Sequence, residues 1–409
     1  MIMITEITSK ISAVGHIDWS VRDFHGYDTA RGTTYNSYLL RYEKSALIDT
    51  VKDAFAGNLS RKLTSVGING KLDYIIVNHA EPDHSGALPH IVAMNPQAVV
   101  VCNQKCRDIL GAYYNIEGWN FQIVKTGDTI SLGEKCTLQF VEIPMVHWPD
   151  SMVTYLVEEQ ILFSNDAFGE HLASSSRFDD GNSLFTLIEE AKSYYANIVN
   201  PYSKRVVQVL ETLKNIPLQI ICPSHGVIWR KELAEIMKGY RNWANQRVRA
   251  KVVVLYDTMW GRTSKMVEAI TEGVLSVPGV TCKVLPVRGV TLNRIATEAL
   301  DAACFALGSS TLNQQMMPQM ASAICYLQGL NFPGKAAFSF GSRGWGKGGP
   351  ELLDAKIAEL RWESIHAPVL AKFEPEAAVL DECRAAGAAL AAKALELAAA
   401  SGYEPLCID

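Results

Sequence analysis

Four residues able to bind a metal, His79, Glu81, Asp83 and His84, lie within the stretch His79-Ala80-Glu81-Pro82-Asp83-His84, directly after the apolar run Tyr74-Ile75-Ile76-Val77. That run reads as a buried strand, so the cluster belongs to the loop at its end. In an extended or turning backbone alternate side chains share a side, which predicts that His79, Glu81 and Asp83 converge while His84 faces a neighbouring position. One ion cannot readily take all four groups, whereas two ions about 3.5–4 Å apart can. Imidazole mixed with hard carboxylate suits iron or manganese at least as well as zinc. Such a centre needs further ligands, and three candidates each close an apolar segment: His147 after residues 140–146, Asp166 after 161–165 and His225 after 220–224. A lone histidine at a strand end is commonly just a hydrogen-bonded structural residue. Recurrence at four strand ends is what predicts a metal centre.

A second chemistry follows near residue 251. The β-branched run Val252-Val253-Val254-Leu255-Tyr256 leads through Asp257 into Thr258, Met259, Trp260, Gly261, Arg262 and Thr263, and then into a helical pattern. Strand, hydroxyl-bearing loop and helix N-terminus aim donors at an anion such as a phosphate. The loop has neither the glycine-lysine pair of a nucleotide P-loop nor a Gly-x-Gly-x-x-Gly fingerprint, which argues against ATP or NAD here. Strand patterns recur at 283–287, 302–308, 336–340 and 368–373, separated by helical segments, and an alanine-rich helical stretch covers 379–400. Five strands alternating with helices predict a doubly wound parallel sheet, whose ligands sit beyond the carboxyl ends of its strands. Two more loops occupy those ends: Ser309, Ser310, Thr311, Leu312 and Asn313, then Ser342, Arg343, Gly344, Trp345 and Gly346. Trp260 and Trp345 are candidate stacking faces for a flat ring. The arrangement resembles flavodoxin with bound FMN.

With 409 residues, the chain is long for one domain. The expectation is a first domain over 1–250 and a second over 251–409. Before residue 72 strands alternate with turns and a helix spans 55–66. Strand, loop and helix then succeed one another, with a helix over 86–94. Strands dominate 122–163, and residues 168–182 read as a long polar loop beside the site. Helices follow at 184–198, 203–214 and 230–250, the last expected to run unbroken as a connector of about 30 Å. Hydrophobic residues make up 48% and charged residues 20%, as in an ordinary soluble protein, and the net charge of −5 with no basic patch argues against nucleic acid. No apolar run approaches the roughly 18 residues of a membrane span, and a cytoplasmic protein is expected. Nine cysteines contain no Cys-x-x-Cys pair. They read as free thiols, mostly buried, and supply no rubredoxin-type iron centre.

The metal cluster, His147, Asp166 and the Ser224-His225-Gly226 triplet resemble, in this order, the metallo-β-lactamase fold as carried by flavodiiron proteins. The resemblance covers essentially the whole sequence. It implies an αββα metallo-β-lactamase-like sandwich followed by a flavodoxin-like domain. Hydrolases of that fold place a second histidine where this sequence has Glu81, and the carboxylate points toward iron. The resemblance further implies two non-haem irons, with His79, Glu81 and His147 on one, Asp83, His84 and His225 on the other, and Asp166 bridging. FMN is the implied second cofactor. Reduction of O2 to water or of NO to N2O is the implied activity, fed by a separate rubredoxin-type donor, in a head-to-tail homodimer or a dimer of dimers. His25 and Tyr195 fall where the family has groups lining the iron pocket, and His171, in the long loop, is a third candidate beside the metals. Two other readings use the same residues: a zinc hydrolase fused to a flavodoxin domain, and a flavin electron carrier whose first domain is only a scaffold.

Overall fold

Each apolar run that leads to a ligand candidate belongs wholly or in part to a strand of one of two sheets, the run before His147 leaving its strand after Glu142. In the computed structural model, which describes residues 3–24, 26–68 and 70–408, the chain forms two compact units. One takes the residues up to Tyr194 together with Lys204–Met237, and the other takes Tyr195–Ser203 with Lys238–Cys407.

The N-terminal unit holds a seven-stranded sheet, in the order Thr5–Thr8, Ile11–Ala13, Tyr38–Arg41, Ser45–Ile48, Tyr74–Ile76, Val99–Cys102 and Asn120–Ile123. A five-stranded sheet runs through Thr129–Ser131, Thr137–Glu142, Met152–Leu156, Ile161–Asn165 and Ile220–Pro223. Strand alternation separates two cores, because neighbouring residues point to opposite faces. Leu40, Ile76 and Val101 meet Leu138, Phe140 and Phe163 in one cluster, between the sheets. Their neighbours Leu39, Ile75 and Val100 pack in another with Leu59, Ile91 and Leu110, which lie on the helices Ala56–Ser65, Leu88–Met94 and Gln104–Tyr113. Asn78, just past Tyr74–Ile76, ties the sheets together: its carbonyl accepts from Met152 N at 2.9 Å and its Oδ1 from the Thr154 hydroxyl at 2.7 Å.

Three local expectations change. The run around Thr34–Leu40 is two strands, Thr33–Tyr35 and Tyr38–Arg41, with different partners. The ligand loop is not extended beyond Glu81, since Pro82–Ser85 is a helical turn with proline in its first position, where the missing N–H costs nothing. The expected connector is the helix Leu233–Ala244, after which Arg249 already begins a strand. Its 12 residues span about 18 Å rather than 30 Å.

In the C-terminal unit the strand order is Thr281–Pro286, Arg249–Asp257, Ala302–Ser309, Ala336–Arg343, then an edge split into Glu363–Ser364 and Val369–Lys372. All pairs are parallel. The order reverses between the strands beginning at Arg249 and Ala302, which makes a ligand crevice at their carboxyl ends. The helix Ala377–Ser401 packs Cys383, Leu390 and Ala394 into the core of this sheet. No helix among the described residues is long and apolar enough to cross a membrane.

Candidate functional site

Parallel pairing of Ile161–Asn165 with Ile220–Pro223, with Asn165 opposite Pro223, carries Asp166 and His225 out of the same sheet side by side. The helical turn at Pro82 then separates the first cluster, because successive side chains on a helix step around its axis instead of alternating. His79, Glu81, His147 and Asp166 offer atoms within 4.8 Å of one another, and Asp83, His84 and His225 form a second such group. Asp83 therefore joins His84 and His225, not His79 and Glu81 as alternation predicted. Asp166 faces both groups. Its Oδ1 lies 3.0 Å from His84 Nε2 and 3.5 Å from His225 Nε2, while Oδ2 lies 3.5 Å from His147 Nε2 and 3.7 Å from His79 Nε2.

These contacts are close without being aligned as hydrogen bonds. Both Asp166 oxygens, Asp83 Oδ1 and both ring nitrogens of His84 are buried and take no hydrogen bond. Buried polar atoms left so are costly, and lone pairs converging from imidazole and carboxylate fit a pair of cations. The backs of two rings are anchored. His79 Nδ1 meets the buried Asp150 carboxylate at 3.1 Å, and His225 Nδ1 meets the Thr34 carbonyl at 2.6 Å. Asp150 is held in turn, accepting from Ala80 N at 2.8 Å while its carbonyl accepts from Asn103 Nδ2 at 2.7 Å.

The charges perturb one another strongly. Burial works against the protonated rings, yet Asp83 and Asp166 raise His84 to about 10, and Asp166 and Glu81 raise His147 to about 9. Burial likewise opposes ionisation of Asp166 and Asp83, and the nearby imidazoles, His84 foremost, overcome it and hold both below the usual carboxylate range.

In the C-terminal unit, a cavity of about 440 Å³ opens at the crevice. Met259, Trp260, Arg262, Ser310 and Thr311 line it, joined by Ser342, Arg343, Gly344 and Trp345. Trp345 is 96% exposed and Trp260 82%, so neither is a core residue. Gly261 adopts a left-handed conformation, φ 75°, directly before the helix Arg262–Leu275, whose first amides open toward the loop. The Thr258 hydroxyl is buried with no hydrogen-bond partner, as befits a phosphate donor. Thr263 and Ser309 are buried beneath, the first 3.0 Å from the Ser310 hydroxyl and the second accepting from Met317 N at 2.9 Å. Leu312 and Asn313 belong to a small hairpin between Thr311–Leu312 and Gln315–Met316, and neither they nor Gly346 are among the lining residues. Phe373 and Glu374 complete the lining. Position alone could have suggested them, since they end the last strand of the sheet.

Residues 33–226 match the family described as ODP family beta lactamase, and residues 254–387 match flavodoxin. A protein named nitric oxide reductase from Moorella thermoacetica is 41% identical over 392 residues, covering 95% of this chain and 98% of its own length. An anaerobic nitric oxide reductase flavorubredoxin from Pectobacterium atrosepticum is 39% identical over 394 residues, covering 95% of this chain and 77% of its own. The flavodiiron protein from Giardia intestinalis has the same fold at TM-score 0.94 and 32% identity, over 98% of each chain. Rubredoxin oxygen:oxidoreductase from Desulfovibrio gigas follows at TM-score 0.92 and 35% identity, over 96% of this chain and 99% of its own. The chain belongs to the flavodiiron protein family.

Around the metal-ligand candidates of this flavodiiron protein, one of the secondary residues differs from expectation. Tyr195 is fully buried, with its hydroxyl 2.9 Å from Ser203 Oγ and its ring against Tyr240 and Trp243. Its neighbour Tyr194 is the tyrosine beside the ligands, with ring centroid 4.9 Å from His171 and 5.9 Å from His225. The helix Leu184–Tyr194 widens into a π turn over Tyr195–Val199, which changes the direction each tyrosine takes and is invisible to a 3.6-residue period. His171, the third candidate, is buried 5.1 Å from the His225 ring, with Nδ1 2.8 Å from the Thr33 hydroxyl. His25 lies outside the described residues. Asp150 was missed, although a carboxylate close after His147 could have been read as the outer partner that metal-binding histidines usually have.

Two outcomes follow from this geometry. Asp150→Asn removes the charge behind His79 and should weaken metal retention by about 10–100-fold, read as loss to a competing chelator. Once stripped of metal, the protein holds protons on His84 and His147 at pH 7, whereas a metal takes the neutral ring. Metal uptake should therefore release protons and tighten as pH rises toward 9. Calorimetry in buffers of different ionisation heat measures that release, and uptake without it would contradict the charge arrangement.

Proposed function

We propose that this protein is an oxidoreductase reducing O2 to water, NO to N2O, or both, at a non-haem di-iron centre supplied with electrons through FMN. The observation that carries this reading is the Asp166 carboxylate, 3.0–3.7 Å from histidines of both ligand groups with neither oxygen hydrogen-bonded. We assign His79, Glu81 and His147 to one iron, Asp83, His84 and His225 to the other, and Asp166 to the bridge. When bound, FMN passes electrons singly and the iron pair holds the small oxidant, coupling a one-electron donor to a multi-electron reduction.

The chain's own residues orient and exclude. Asp150 fixes the tautomer of His79, and the Thr34 carbonyl fixes that of His225. Phe24 and Tyr194 wall the His225 side with aromatic rings that keep water away. Either reduction consumes protons, and His171, oriented by Thr33 and next to His225, is the group we assign to deliver them.

In the second unit, we assign the phosphate of FMN to the Thr258–Thr263 loop and the ring system to the face flanked by Trp260 and Trp345. A fragment over 251–409 is the flavin-binding domain in this reading, and 1–250 the di-iron domain. The electron donor is a separate rubredoxin-type protein and the setting is cytoplasmic. The exposed Trp260, Trp345 and Phe373 support a further partner for the flavin face, a second copy of the chain placed head to tail.

The purified protein should contain about two irons per chain, and Asp166→Ala should lose most of the metal while keeping FMN. Two zincs and no iron, from cells grown with ample iron, would favour a hydrolase instead. For the dimer, a chain that cannot bind iron (His79→Ala with Asp166→Ala) is co-expressed with one that cannot bind FMN. Isolated mixed dimers should recover part of the activity absent from both parents. Mixed dimers as inactive as either parent exclude electron transfer between chains.

A further inference from the structure

Lys62, on the helix Ala56–Ser65, and Arg177, in the loop before Asp179, line one small cavity together with His16 and Asn36. Arg177 is 6% exposed. Its Nη2 donates to Asn36 Oδ1 at 2.6 Å and to the Gly226 carbonyl at 2.8 Å, but its Nη1 has no hydrogen-bond partner. Lys62 donates to the Gly15 carbonyl, and among the described residues neither cation has a carboxylate in ion-pair range. Two cations so placed repel each other. Burial and the nearby Arg177 lower Lys62 to about 8.

The other charged groups around the cavity leave this excess standing. Asp18 spends its Oδ1 on the Ser20 and Val21 amides of its own turn. Glu170 turns its Oε1 to the Val227 amide and is not among the residues lining the cavity. His16 and Arg61 add no negative charge. The cavity is small, about 20 Å³, which suits a single compact ion. A larger cavity of about 370 Å³ shares Met3, His16, Ile17 and Lys62 with it and supplies a path inward.

We propose that this cavity is a binding site for one monovalent anion of chloride's size, held between the Lys62 ammonium and the Arg177 guanidinium. The same guanidinium supports the Gly226 carbonyl, one residue from His225, so the ion completes the charge balance behind that ligand loop.

The test uses the full chain with its metal and flavin in place. Equilibrium dialysis against radioactive chloride, with sulfate keeping ionic strength constant, should show saturable uptake that bromide displaces. Lys62→Met should weaken this uptake at least about tenfold while iron and FMN content stay unchanged. Crystals soaked in bromide should show an anomalous peak between Lys62 and Arg177. Absence of saturable uptake, equal affinity in Lys62→Met, or a bromide peak only elsewhere overturns the proposal. Should Lys62→Met fail to fold, the bromide position in the unaltered protein decides.

Discussion

Three carboxylates and four imidazoles, most of them buried, brought to one place are destabilising unless something draws on their lone pairs, and the N-terminal unit is built around that constraint. Asp166 is the pivot. It leaves the five-stranded sheet beside His225 because Ile161–Asn165 and Ile220–Pro223 are paired in parallel, and its two oxygens face different ligand groups. A sheet strand is a stiff support, so the ligand atoms approach within a few ångströms without the loops having to be ordered by their own contacts alone. Behind the ligands lies a second layer of fixed polar groups: Asp150 on His79, Thr34 on His225, and Arg177 with Asn36 on the Gly226 turn.

The C-terminal unit solves a different problem with the same kind of support. A flavin phosphate needs donors that do not move, and a wide ring needs flat neighbours. The reversal of strand order beside Arg249–Asp257 opens the crevice, Gly261 turns the chain in a conformation glycine adopts without strain, and the helix Arg262–Leu275 presents its amides. The aromatic faces of Trp260 and Trp345 are exposed at the rim of the crevice, where an apolar surface left in water marks a place for a ligand or partner.

Much of this was legible in the linear chain because strand ends announce themselves. An apolar run followed by His, Asp or Glu states both the support and the ligand type, and five repetitions of strand and helix imply a doubly wound sheet. Misreadings arose where local geometry departs from an ideal period. The helical turn at Pro82 moved Asp83 to the other ligand group. Beside the π turn over Tyr195–Val199, Tyr194 rather than the expected Tyr195 stands next to His225. A connector expected over 230–250 is the helix Leu233–Ala244 because Arg249 is drawn into sheet pairing, which outweighs its helical spacing.

What the sequence by itself determined is the chemistry on offer: which residues can ligate, that imidazole mixed with carboxylate suits iron or manganese at least as well as zinc, and that the phosphate loop lacks the nucleotide motifs. Those are properties of residue type and short spacing, which survive without any knowledge of the fold. Only the tertiary structure decided that Asp150 stands behind His79, that His171 is buried beside His225, and that Lys62 and Arg177 share a cavity. Each of these joins residues far apart in the chain, brought together by strand pairing and core packing, and no local periodicity encodes such distances.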